Sequence, residues 1–416
     1  MSEQVRTFLF LQGPCGRFFW DLAQELQRRG HRIERINLCG GDVHDWPGPA
    51  RNYRGLPSRW TIFVDRFMRD RCVTDLVLYG DCRPLHKAAH QMARMRKVRV
   101  HVFEEGYVRP NWMTLERDGV NGHSPFVRDP GRLYRLAERL PPLPDLPPIM
   151  ATPGFRTGDT IRYYGHLLAG RLTFRFPFYE SHRPLMILHE AAGWILKYAT
   201  AEQARQRSRR VLSSLVKGQY FLLPLQLSSD YQIRVHSPFS GMDEALEYVL
   251  SSFAAFAPPE AMLVVKEHPL DCSIRSWRRV IARLARRVGV QGRVQHVASG
   301  DLANLSRNSR GVIVVNSTSA TFALTEGVPV MALGSAIYAI DGIVHSGVLD
   351  SFWRAPRAPD ARIYQGFVRA LHEKCLVRGG LASDTALRIL IENAVPRLLA
   401  EGDDASFHTP ADAPDT

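Results

Sequence analysis

Four stretches of this chain carry carboxylates, hydroxyls, an imidazole or an ammonium just where an apolar run gives out. In "FLLPLQLSSD" an apolar segment passes, with no turn residue, into Gln226 and then Asp230. "VFEEGYVRPNW" finishes in Glu104 and Glu105, beside Tyr107, Arg109 and Trp112. "VVKEHPLD" finishes in Lys266, Glu267, His268 and Pro269. "VIVVNSTSATFAL" runs into Asn316, Ser317, Thr318 and Ser319 before a helical pattern from about Ala320. Carboxylates so placed can move protons or attack carbon, and they can equally be solvated or capping acids. Lys and His side by side suit a phosphate or carboxylate. Hydroxyls and free N–H groups at a helix start suit an anion, although N-capping alone asks for one such residue. Adjacent glutamates in extended structure point to opposite faces, so at most one of Glu104 and Glu105 serves a given site. Proline after His268 stops the ladder and keeps the imidazole near the strand's carboxyl end.

The elements around these residues alternate regularly. "TFLFLQ", "RIERINL", "TDLVLYG" and "RVHVFEEG" read as strands separated by amphipathic helical segments, the first from Phe18 to Arg29. Strands alternating with helices argue for a parallel, doubly wound sheet. "LPPLPDLPP" (140–148) can neither continue a helix nor enter a sheet interior, and is a connector. Helical patterns rich in Tyr, Phe, Trp and Arg fill 157–215, as a layer between domains or an amphipathic surface for lipid. "QYFLLPLQ", "AMLVVKEHP", "RVQHV", "GVIVVNS" and "VPVMALG" begin a second alternating block, closed by helical patterns at 360–375 and 383–400. The expected organisation is an N-terminal domain over 1–140, a Pro-rich connector and helical region over 141–215, and a second domain over 216–380. A closing helix over 381–400 and a disordered tail over 401–416 complete it. Ligands of open α/β sheets bind outside the carboxyl ends of the strands, where all four stretches lie.

Composition narrows the chemistry. A length of 416 residues is too great for one ordinary core. No apolar run approaches the roughly 20 residues that span a bilayer, and no signal peptide is read at the N-terminus, so the chain is expected in the cytoplasm. The six cysteines are scattered with no Cys-x-x-Cys pair, which argues against structural zinc and a disulfide framework. A net charge of +13 fits an anionic partner. Basic clusters such as "RQRSRR" and "RSWRRVIARLARR" are read as solvated helix faces or as contacts to an anionic leaflet. No nucleic-acid-binding signature, Walker loop, G-x-G-x-x-G or D-x-D metal motif appears, so neither nucleic acid nor a metal is expected.

Taken together, these stretches resemble the capsule polysaccharide biosynthesis proteins of the KpsS/LipB type, retaining β-Kdo glycosyltransferases. "QLSSD" resembles that group's Q-x-x-x-D element, "KEHP" its His-Pro element, "NSTSATFALTEGVPV" its nucleotide-side segment and "FEEGYVRP" its E-x-G stretch. The resemblance implies a GT-B-like α/β fold, two Rossmann-like domains facing a cleft with a helical connecting region. It implies CMP-Kdo as donor, no cofactor, and an acceptor of Kdo on lyso-phosphatidylglycerol at the cytoplasmic face of the inner membrane. It leaves room for a partner Kdo transferase. It implies Asp230 as nucleophile, Gln226 orienting it or the sugar, and one of Glu104 and Glu105 as acid/base. Lys266 and His268, with Asn316, Ser317, Thr318 and Ser319, would hold the nucleotide. Rival readings are an inverting CMP-sialic-acid-type transferase, a nucleotide-sugar epimerase and a non-catalytic capsule export or assembly factor.

Overall fold

In this computed structural model the described residues are 4–179, 187–227, 231–271 and 275–400, the side chains of 187–191, 231 and 232 excepted. The chain divides into two compact units: Met1–Val127 with Pro142–His182 and Ala370–Thr416, and Arg128–Pro141 with Arg183–Arg369. Each is built on its own sheet. The strands among the described residues are numbered along the chain.

In the first unit β1 (Thr7–Phe10), β2 (Arg32–Asn37), β3 (Arg51–Asn52), β4 (Asp75–Tyr79) and β5 (Arg99–Glu105) are parallel. The antiparallel strands β6 (Trp112–Arg117) and β12 (Leu376–Arg378) extend one edge, giving the order β12-β6-β5-β4-β1-β2-β3. Both faces are buried, which is why "TFLFL" and "DLVLY" read as unbroken apolar runs. Phe8 and Phe10 pack with Phe18, Leu22 and the C-terminal helix residue Leu390, whereas Leu9 and Leu11 face Val64, Met68 and Ala93. The second unit is all parallel: β7 (Tyr220–Pro224), β8 (Met262–Lys266), β9 (Val294–Val297), β10 (Gly311–Val314) and β11 (Val330–Ala332), in the order β11-β10-β7-β8-β9. On one face Phe221, Leu223 and Val265 meet the helices Met242–Phe256 and Trp277–Arg287. The latter buries Trp277, Val280, Ile281, Leu284 and Ala285 and exposes its arginines, as a solvated basic face should.

The expected parallel α/β architecture is thus present in both sheets, with the nine strands read from the sequence in place. The short strand β3 and the antiparallel β6 and β12 were not read: two or three residues carry no period, and "WMTLER" follows a turn instead of a helix. The 157–215 region is two helices, Phe155–Leu172 in the first unit and Ile187–Ser214 in the second. The first packs on the helix Gly40–Asp45 closely enough that a Cβ on Gly40 would come 2.1 Å from the His166 carbonyl oxygen.

The antiparallel strand β6, flanked by β12 and β5, carries a buried carboxyl, Glu116. Its Oε1 accepts from the Tyr107 hydroxyl at 2.6 Å, and its Oε2 accepts from the Ser124 hydroxyl. Burial pushes the Glu116 carboxyl up to about 7 despite these donors. The folded protein therefore keeps a proton that the unfolded chain, at an ordinary 4.5, has released. Stability from this group is full below the unfolded value and declines as pH rises through the folded one, by at most about 1.4 kcal/mol per pH unit. Glu116→Gln keeps the shape without the titration. Urea unfolding should show the variant gaining on the parent as pH rises through that window and levelling off above it. A stability difference that does not change with pH would contradict this account.

Candidate functional site

In the second unit the chain passes from β7 to β8 and β9 on one side, then crosses to β10 and β11 on the other. The strand order reverses between β7 and β10, the place where ligands of open α/β sheets bind. Register does the rest. Phe221 pairs with Gly311 and Leu222 with Val312, while Pro224 pairs with Lys266. Carried beyond Pro224, the first offset sets Gln226 level with Asn316, and His268 follows two residues past the end of β8.

The side chains agree. Gln226 is buried; its Nε2 donates to Asn316 Oδ1 at 2.9 Å and its Oε1 accepts from Asn316 N at 3.1 Å. This amide ties the ends of β7 and β10 together without charge. Ser317 Oγ lies 2.8 Å from Ser319 Oγ and accepts from Ser319 N, while Tyr338 donates to the Ser317 carbonyl at 2.6 Å. The following helix, Ala320–Thr325, has only six residues, so this segment offers an anion its hydroxyls more than a long helix's dipole. Asp230, Ser228 and Ser229 lie outside the described residues.

At the end of β8, Lys266 is buried, and burial pulls its ammonium down; neighbouring Lys197 adds to this and Glu267 opposes it. Glu267 Oε2 turns to His296 Nε2 on β9, 3.1 Å away. His268 Nδ1 accepts from Leu270 N at 3.1 Å, which places the proton of the neutral ring on Nε2. Among the predicted residues, Gln226, Lys266, His268 and Asn316–Ser319 gather at three adjacent strand ends of one sheet.

Glu104 and Glu105 end β5 in the first unit, both half-buried. Glu104 Oε1 accepts from Glu105 N at 3.1 Å. Glu105 Oε1 accepts from Arg156 Nη2 at 2.6 Å and from the Tyr79 hydroxyl at 3.3 Å, with Arg109 at 4.0 Å from Oε2. Burial, the largest influence, works against the charge, yet Arg156, Arg109 and these hydrogen bonds together hold the Glu105 carboxyl below its ordinary value. Arg156 escaped the sequence reading, because nothing in a helical pattern fifty-one residues away announces an ion pair.

This sheet also reverses its order, between β1 and β4. A groove of about 670 Å³, its open mouth included, lies there, walled by Leu38, Tyr53, Leu85, Phe176 and Phe178 with Arg54 and Arg83 among its lining. Gln12, just past β1, is the polar hub: its Nε2 donates to the Tyr163 and Tyr179 hydroxyls at 2.7 and 2.9 Å, and its Oε1 accepts from Arg83 at 2.9 Å. A glutamine ending an apolar strand was the signal that singled out Gln226, and it applied here too. Nearby, Asp81, Cys82 and His123 bring possible metal-ligand atoms together. The Asp81 oxygens already accept from Cys82 at 3.2 Å and face His123 Nδ1 at 3.0 Å, and burial pushes the Cys82 thiol up.

Residues 74–381 match the family model described as capsule polysaccharide biosynthesis protein. The chain is 32% identical over 366 residues to the Escherichia coli capsule polysaccharide export protein KpsS, covering 87% of this chain and 93% of that protein. It is also 32% identical over 383 residues to the capsule polysaccharide modification protein LipB of Neisseria meningitidis, covering 88% and 89%. Among solved structures, the Thermosulfurimonas dismutans KpsC β-Kdo 2,7-transferase matches with 14% identity and a TM-score of 0.42, over 88% of this chain and 89% of that one.

Arg156→Gln removes the nearest cation from the half-buried Glu105 carboxyl. Burial then faces only Arg109 and the Tyr79 hydroxyl, so the Glu105 carboxyl should titrate at or above its ordinary value. Residue-specific carboxyl NMR across the acid range measures this. If Glu105 still titrates below the ordinary value in the variant, Arg156 is not the group that holds it.

Proposed function

The chain belongs to the capsule polysaccharide biosynthesis family, and within that family we propose that it is a retaining β-Kdo glycosyltransferase. The donor is CMP-Kdo and the acceptor Kdo-primed lyso-phosphatidylglycerol. The observation that carries the reading is that Gln226, hydrogen-bonded to Asn316, gathers with Lys266, His268 and the Ser317–Ser319 hydroxyls at the carboxyl ends of three adjacent parallel strands. An ammonium, an imidazole N–H and clustered hydroxyls suit the phosphate of a departing CMP and supply no redox chemistry.

In this reading retention takes two displacements. The Asp230 carboxylate attacks the anomeric carbon, the bond to the CMP oxygen breaks, and the negative charge arriving on phosphate is met by Lys266 and His268. Glu104 or Glu105 then takes the proton of the acceptor hydroxyl as its oxygen displaces Asp230. Of the two, Glu105 already carries an ion pair to Arg156, with Arg109 close by, and Glu104 accepts from Glu105 N. The arginine-bearing apolar groove of the first unit suits an anionic, lipid-linked acceptor.

No described helix is long and apolar enough to cross a membrane. The helix Phe155–Leu172 and the turn after it nevertheless expose Ile161, Leu172 and Phe174 among Arg162, Arg171 and Arg175, and Ile195 and Tyr198 are exposed on Ile187–Ser214. Such a mixture suits peripheral contact with the anionic cytoplasmic leaflet, where each basic residue contributes about 1 kcal/mol and is screened by salt. The protein should pellet with anionic vesicles at low salt and leave them at high salt. Equal binding to uncharged vesicles would remove the electrostatic account.

Release of CMP from CMP-Kdo in the presence of the primed acceptor is the direct test. Asp230→Asn should abolish transfer while CMP still binds. His268→Ala should weaken CMP by about 1.5–3 kcal/mol, the value of a hydrogen bond to a charged group. Of Glu104→Gln and Glu105→Gln, each left with CMP-Kdo alone, one should accumulate one Kdo on or near Asp230 by intact-mass spectrometry and peptide mapping. Near-parental transfer by Asp230→Asn would overturn the nucleophile. Transfer lost with no adduct in Glu104→Gln or Glu105→Gln would favour the inverting alternative, and no turnover by the parent a non-catalytic role in export.

A further inference from the structure

The loop that carries His268 has few means of holding its own shape. Pro269 has no N–H, and beyond Glu267, whose N–H donates to the Val297 carbonyl at 2.9 Å, the backbone turns to Asp271 outside the ladder. Its ends are fixed: Leu225 N donates to the Lys266 carbonyl at 2.8 Å, and the buried Trp277 donates its indole N–H to Asp271 Oδ2 at 2.8 Å. Between them three carbonyls converge on one ammonium. Lys197 Nζ lies 2.7 Å from the carbonyl oxygens of Pro269 and Asp271 and 3.5 Å from that of His268. An ammonium has three protons to give, and this geometry directs all of them at the loop.

Lys197 is itself well placed. It lies on the helix Ile187–Ser214, 5.6 Å from the Trp194 ring. Further along the same helix the buried Ser208 Oγ accepts from Ala298 N at 3.0 Å and Ser299 N at 3.3 Å, just past β9. The helix thus grips the loops that follow β8 and β9. Carbonyl oxygens drawn toward Lys197 are oxygens not presented to an incoming anion. The helix also brings a second positive charge beside Lys266.

We propose that Lys197 is a positioning residue for the donor site, holding the 267–271 loop so that His268 Nε2–H and Lys266 face an anion. This rests on the reading that the loop meets the phosphate of CMP. The test compares full-length Lys197→Met, which keeps the length without the charge, with Lys197→Arg, which keeps the donors. The probe is CMP, measured by calorimetry, and the second readout is amide exchange at Leu270 and Asp271, whose N–H groups bond within the loop to His268. Lys197→Met should bind CMP about tenfold more weakly, a change of about 1.4 kcal/mol, with faster exchange at both amides and an unchanged melting temperature. Lys197→Arg should recover most of the affinity. Parental CMP affinity in Lys197→Met overturns the proposal, and so does affinity lost with exchange unchanged. If the parent itself fails to bind CMP, the donor reading falls, and the exchange measurement still decides whether Lys197 holds the loop.

Discussion

Backbone pairing of β7 with β8 on one side and β10 on the other is the constraint on which the second unit's site depends. A parallel ladder fixes offset as well as proximity. Once Pro224 stands opposite Lys266 and Leu222 opposite Val312, the three strand ends lie side by side and the loops that leave them start from fixed points. A slip of one residue in either pairing would turn the alternating side chains of β7 to the wrong faces of a sheet buried on both sides. The apolar core therefore guards the register, and the register sets the chemistry. Gln226 then locks the reversal point with two hydrogen bonds to Asn316.

The first unit solves the same problem similarly. Gln12 and Gln226 each lie just past the first strand of their sheet, each buried, each at the point where the strand order reverses. An amide can donate and accept at once, so it bridges loops in a dry place without the desolvation cost of a charge. The surroundings differ: Tyr179, Phe176 and Phe178 line a groove in one, and hydroxyls and a lysine gather at the strand ends in the other.

The positive charge of the chain has more than one use. At the amino ends of the first sheet the fully buried Asp75 accepts from Arg6 and Arg99 and meets His101 Nε2 at 2.9 Å, and those donors hold its carboxyl well below the usual range although burial works upward. Arg35 is buried with its charge 3.6 Å from Asp42. Leaving such a carboxylate without its cation would cost several kcal/mol, so these arginines serve the fold. The arginines of Trp277–Arg287, by contrast, are exposed. Net charge alone does not separate these uses; burial does.

The sequence by itself determined the elements and the kind of chemistry. Unbroken apolar strands alternating with amphipathic helices require a sheet covered on both faces, and Gln226, Lys266, His268 and Asn316–Ser319 were legible because polar residues at the end of such a strand have few structural reasons to be there. Local pattern reports what one segment needs from its surroundings, and that is all it reports. It does not name the partner. Tertiary structure alone decided that Arg156 neutralises Glu105, that the last strand and helix complete the first sheet, and that Lys197 reaches the carbonyls of the His268 loop across seventy-odd residues of chain. Each of these is a contact between distant segments, set by the register of a sheet or the packing of a helix, and a lysine or arginine in a helical pattern looks the same whether it meets water or a loop.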